Sequence, residues 1–430
     1  MNAETAYLFR HALLRDAAYQ LQMPADRARL HALVIDVMEE LFGGRPELPV
    51  ADWRSPPMHS GHALDTHAAE LAAHAQAALE GGTHCGAELV PALRTYLHRA
   101  ARAADDALRF AEAFDLWMRL AEFSDGSGRV DAWCKAAGAL FQLGRLERSK
   151  ELGLRARSLA RELGDARGEG ASLSVVVAAD LRAKRGKEAE ELGLEALQIS
   201  RACGDLYNEA AISSKLANHY VGLGKYEEGE ALDARALQLF RSMGNRRGEA
   251  TVMVNLAVMR QMQKDWPAAE EQMAVALQAA KTLGFREMEA TALYNLAEIH
   301  HKSGREESGL DYLHQAIALA QAIGHPLVLG ISCWKLSEIL WKRGKLVETE
   351  AALRSAKAAL DDTEVPMLGE IYCQHAVCLL ELGKAEPAQM HWRRGMALLM
   401  RLAQSKLIAR ARRHLAKTCA ELGVPLLRDD

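Results

Sequence analysis

Small and apolar residues return along most of this chain at a fixed interval of 40 residues. Ala156, Ala196, Ala236, Ala276, Ala316 and Ala356 form one series, and Leu216, Leu256, Leu296 and Leu336 form a second. Each of those leucines is followed by Ala217, Ala257, Ala297 or Ser337. Glycines keep the same beat. Gly164, Gly204, Gly244, Gly284 and Gly324 close the units, and Gly144, Gly186, Gly224, Gly304, Gly344 and Gly383 fall halfway between. In the halfway slot without a glycine, Asp265 and Trp266 follow Lys264. Glycine supplies the positive φ that ends a helix without a Cβ clash. Two breakers per unit therefore predict two helices of roughly 16–18 residues each. The recurring alanine marks where the second helix presses on the first, and the leucine fills the space between them. One helix pair cannot bury its apolar face alone, so neighbouring pairs must stack. The predicted fold is an all-α, helix-turn-helix repeat solenoid.

The first 125 residues follow other rules. Tyr7–Gln22 and Arg27–Phe42 read as helices separated by Met23-Pro24-Ala25-Asp26, with Asp26 as the N-cap. A stretch rich in proline and glycine, Gly43 to Gly61, predicts a long loop. Helix resumes over Leu64–Leu79, breaks between Gly81 and Gly86, and continues to about Phe123. Ser124 to Gly128 is the hinge into an array of about seven repeats spanning 126–403. Residues 404–430 form a cap, with a helix over Ser405–Glu421, and a tail. Repeat seven drifts, since Glu364 stands in the glycine slot and His375, counted back from Gly383, in that of the framework leucine.

Composition narrows the class of function. Hydrophobic residues make up 49% and charged residues 26%, a globular balance, and aromatics only 6%. A net charge of -4 excludes broad attraction to nucleic acid, which needs a basic stripe against the phosphates. No apolar run approaches the ~18 residues needed to cross a bilayer. Met1 to Arg10 show no charged start before an apolar run, so no secretory signal is expected. The seven cysteines form no CxxC pair and read as reduced thiols in a cytoplasmic protein.

The segment ATALYNLAEIHHKSGREESGLDYLHQAIALAQAIG, Ala290 to Gly324, resembles the tetratricopeptide repeat family, as do Ala250–Gly284 and Ala210–Gly244. The usual unit has 34 residues and closes with proline. The longer, glycine-closed unit is similar to the repeats of Pins/LGN-type scaffolds and MalT-like bacterial regulators. That resemblance implies a superhelix binding a partner along its inner groove. At the front, YLFRHALLRDAAYQLQMPADRARLH, Tyr7 to His31, resembles the end of the ATPase module of bacterial STAND-type signalling proteins. THAAELAAHAQAA, Thr66 to Ala78, resembles the helix that follows it there. The sequence nevertheless contains no G-x-x-x-x-G-K-[ST] loop to cradle nucleotide phosphates, and Gly224-Lys225 runs on to Tyr226. Two readings follow: a stand-alone protein-interaction module, or the sensor arm of a STAND-type ATPase whose nucleotide-binding module is missing from this chain.

Catalytic and metal chemistry find little support. His59, His62, His67, His74 and His84 cluster, and His67, Glu70 and His74 share a helix face, yet neither H-E-x-x-H nor H-x-x-E-H is present. There is no G-x-S-x-G elbow, and Cys373 and Cys378 point to different helix faces. No catalytic residue, metal or cofactor is expected. In a stacked array the first helix of each pair lines the inside. Counting from the framework leucines places Lys215, Asn218, Asn255, Asn295, Glu298, Lys335, Glu338 and Trp341 there, with Tyr294 and Trp334 one position earlier. Asparagine amides can pair with the main chain of an extended peptide, and the aromatics can anchor it. The expected partner is a protein or peptide, with no nucleic acid, no membrane and no small-molecule substrate.

Overall fold

The computed structural model describes residues 19–48, 61–81, 86–361 and 363–429, and every regular element among them is helical. Most of the helix expected over Tyr7–Gln22, most of the loop before Gly61, and His59, His84 and Cys85 lie outside the described residues. The chain packs as two compact units that part between residues 132 and 133.

The first unit holds α1 (Pro24–Leu41), a 3-10 turn (Ala63–His67), α2 (Ala68–Glu80), α3 (Gly86–Asp106) and α4 (Phe110–Phe123). Helix α1 starts two residues before Asp26. Met23 is its N-cap, and Pro24 takes the first turn, where a missing N–H costs nothing. Asp26 instead places its carboxylate in that first turn, against the positive end of the helix. The 3-10 turn opens with a reciprocal cap: the Leu64 N–H donates to His62 and the His62 N–H to Asp65, at 3.2 and 2.8 Å. Arg99 on α3 then pairs with Asp65. His74 meets His31 at 2.6 Å between Nδ1 atoms, and among the described residues no three His, Cys, Asp or Glu side chains converge on a metal position.

The array follows as helix pairs: α5 (Gly126–Gln142) with α6 (Leu146–Glu162), α7 (Ala166–Arg182) with α8 (Gly186–Cys203), and α9 (Leu206–Gly222) with α10 (Tyr226–Ser242). Then come α11 (Arg246–Met262) with α12 (Trp266–Leu283), α13 (Arg286–Lys302) with α14 (Glu306–Ala322), α15 (Pro326–Lys342) with α16 (Leu346–Leu360), and α17 (Pro366–Glu381) with α18 (Ala385–Arg401). The cap is α19 (Ser405–Leu422). Asp165, Asp205, Asn245 and Asp265 each accept an N–H from three residues on, starting α7, α9, α11 and α12. The left-handed residue of the second halfway turn is Lys184, at φ 64°, and not Gly186. Gly186 is kept small for another reason, because a Cβ there would lie 2.5 Å from the His219 ring. Lys264, at φ 65°, does the same work in the slot that lacks glycine.

The six recurring alanines are all fully buried. Ala276 packs with Met273, Leu293 and Leu296, which joins α12 to the next first helix. Ala276→Leu should lower stability by about 1–3 kcal/mol through overpacking. An unchanged melting curve would mean that α12 and α13 leave room there.

The drift in repeat seven now has a cause. Glu364 N–H donates to the Gly144 carbonyl at 2.8 Å, and its carboxylate accepts from Glu147 N–H at 3.1 Å, capping α6 from 217 residues away. Gln404 Nε2 likewise donates to the Ala183 carbonyl at 3.1 Å. Leu146 and Ala183 share a core with Leu360, Val365 and Leu368. The array therefore curls until its first two turns meet its last repeat. A glycine at 364 could not supply that cap. His375, 2% exposed, stacks on His391 at 4.5 Å and meets Glu350 at 3.2 Å.

These histidines predict a pH effect. Burial, with Lys357 and the neighbouring His375, pulls His391 down to about 4, and burial with Lys357 lowers His375. The unfolded imidazoles titrate near 6.5, so between about 6.5 and 4 the unfolded chain binds more protons and stability falls as pH falls. The melting temperature should drop between pH 7 and pH 5, and His391→Gln should flatten that drop. A wild-type curve level across this range would contradict it.

Candidate partner-binding face

First helices pack side by side, α7 on α9, α9 on α11, α11 on α13, α13 on α15 and α17 on α19, and side-chain hydrogen bonds link α15 to α17. The predicted residues divide along this wall of helices. Lys215 donates from Nζ to Ser174 Oγ at 2.7 Å, and burial lowers its pKa to about 8. Asn218, one turn on, is exposed. Asn255 is only 8% exposed, and its amide donates to Ser214 Oγ at 2.7 Å. Asp233 lies beside both, and burial raises its carboxyl to about 7. Asn255 therefore ties α11 to α9 and is spent on that layer. Asn295 is half-buried and donates to the Thr291 carbonyl of its own helix at 3.0 Å.

From α13 onward the wall becomes a polar ladder with an apolar backing. Lys335 stands between Glu298 and Glu338, at 2.7 Å from each. Burial works against its ammonium, but the two carboxylates outweigh that and raise its pKa. Tyr294 lies by the same acids, and burial first, then their charge, holds its phenol well above its ordinary value. Trp334 Nε1 donates to Gln374 at 2.6 Å and Trp341 Nε1 to Glu381 at 2.9 Å, so both indoles lean onto α17.

Between α15, α17 and α19 the wall opens into a cleft of about 330 Å³. Trp334, Val377 and Leu407 give it an apolar floor, and Glu338, Arg410 and His414 its polar edge. Arg410 pairs with Glu370, and His414 lies 5.7 Å from Trp341, ring to ring. Cys373 also lines the cleft, but burial pushes its thiol up to about 12, so it stays protonated and is no nucleophile. The cleft brings together only Trp334 and Glu338 of the ten predicted residues. Its other residues come from repeat seven and the cap. The 40-residue register does reach Gln374 and Glu381 from Trp334 and Trp341, and extending it past the drift would have found them.

Models described as "Tetratricopeptide repeat" match residues 208–282 and 290–323. These two segments carry tetratricopeptide repeats. No curated protein matches it in sequence. Among solved structures, a Rap protein complexed with Competence and Sporulation Factor aligns over 79% of this chain and 96% of that chain, at 14% identity and TM-score 0.53. NprR in complex with its cognate peptide NprX aligns over 78% of this chain and 94% of that one, at 15% identity and TM-score 0.54. A STAND protein with a tetratricopeptide repeat sensor, from Pyrococcus horikoshii, aligns over 96% of this chain and 62% of that one, at 14% identity and TM-score 0.47. At such identities the first two establish a shared fold: an all-α repeat solenoid.

Proposed function

We propose that this chain is a non-catalytic, peptide-binding regulatory module that holds a partner polypeptide on its inner face, in bacterial signalling within the cytoplasm. The observation that carries this is the cleft at α15, α17 and α19: an apolar floor ringed by charges that already have partners. Such a surface takes up an apolar side chain while its edge fixes the peptide around it. Two solved proteins of this fold hold a factor or a cognate peptide, which agrees with the reading. Among the described residues no helix is long and apolar enough to cross a membrane. Lys215, Asn218, Tyr294, Asn295, Glu298, Lys335 and Trp341 extend the same face toward the earlier repeats, and Asn255 supports it from within.

The second reading, a sensor arm of a STAND-type ATPase, rests on the motifs at Tyr7–His31 and Thr66–Ala78. A phosphate loop encoded in frame upstream would favour it. The first reading is tested by affinity capture from the source cell with wild type and Glu338→Lys. Lys335 keeps Glu298 in that variant, so the fold should hold. A protein retained by wild type and lost by Glu338→Lys is the expected result. Equal capture by both would remove the cleft from the account.

A further inference from the structure

Helix α1 is apolar on two opposite faces. One face, Ala28 and Ile35, is buried and packs toward α2. On the other, Leu30, Val34, Val37 and Leu41 follow at intervals of four, three and four, with Leu33 beside them, and all five are exposed. At 100° per residue they occupy an arc of about 100° directly opposite the buried pair. Leu41 is 71% and Leu33 54% exposed, well beyond a rim position of a packed helix. The 4-3-4 spacing is that of a coiled-coil seam, in which each side chain enters a hole on a facing helix. An apolar stripe of this kind on a folded unit marks a contact surface.

The charges on one flank of the stripe say what faces it. Arg29, which meets Asp26 of its own helix at 3.6 Å, lies near the start of α1, with Asp36 past its middle and Glu40 near its end on the same side of the seam. We propose that α1 is a homodimer contact, in which two copies of this chain pair their α1 helices antiparallel across Leu30, Val34, Val37 and Leu41. In antiparallel pairing like flanks meet in reverse order, so Arg29 of each copy comes within reach of Glu40 of the other. Parallel pairing would instead set this flank against the opposite flank of the partner, where Arg29 and Glu40 do not meet. Opposed helix dipoles favour the same direction. The contact is self-complementary and closes as a twofold dimer.

Light scattering on the full chain after gel filtration tests this. Wild type should run at twice 47.2 kDa, and Val34→Glu/Val37→Glu at 47.2 kDa with an unchanged melting temperature, since both positions are exposed. Arg29→Glu alone and Glu40→Arg alone should each weaken the dimer about fivefold or more, and the double reversal should restore it. A wild type that stays at 47.2 kDa up to tens of micromolar overturns the proposal. So does a dimer that survives the two glutamates. A monomer whose melting temperature falls with Val34→Glu/Val37→Glu would show the stripe covered by its own chain, which also overturns it. Failure of the double reversal to rescue would overturn the antiparallel arrangement. None of these readouts depends on the cleft or its partner.

Discussion

Partner affinity should fall about thirtyfold or more when Ala411 becomes tryptophan, with little change in melting temperature. Ala411 lines the cleft from α19 and is only half-buried, so the larger side chain can extend into open space. An indole there fills the volume of about 330 Å³ that an anchoring side chain of the partner would occupy. Loss of one hot-spot anchor is worth about 2 kcal/mol, or roughly thirtyfold in Kd. Calorimetric titration with the captured partner reads it directly, and Ala411→Ser serves as the neutral control. Undiminished affinity in a folded Ala411→Trp protein would place the partner elsewhere.

A second large effect concerns the closure of the array. Gly144→Val should cost about 2–4 kcal/mol of stability, the sum of a left-handed β-branched residue and overpacking. Gly144 sits at φ 71°, and a Cβ there would lie 2.8 Å from Thr363 Cβ. Gly164→Val isolates the first cost, since Gly164 at φ 65° has nothing within 4 Å of that position. The comparison is made by urea unfolding of the two variants. If they lose equal stability, the contact between the first turn and residues 363–365 contributes nothing.

The repeats were legible because their physics is local and repeated. A left-handed residue and a fully buried alanine recur every 40 positions, and each leaves its own mark in the sequence. The same method went astray where a different residue does the same job. Lys184 adopts the left-handed turn without a glycine, and Gly186 drew attention because it avoids His219. Glu364 and His375 looked like decay of the pattern, yet both make contacts that no neighbouring repeat makes. The Glu364 contact joins residues 217 apart and has no periodic signature. The ten predicted residues all lie on first helices, but what each side chain does there differs. Position along a helix fixes direction, whereas a neighbour such as Ser214 decides whether Asn255 is spent on the core. The cleft residues from α17 and α19 went unseen because the register was carried no further than Trp341.

The most direct test of the account is hydrogen–deuterium exchange of the full chain with and without the captured partner. Binding in the cleft should slow exchange in α15, α17 and α19, and in α13 beside them, while α14, α16 and α18 change little. Protection confined to those second helices, or to α1 through α4, would contradict a partner held on the inner face.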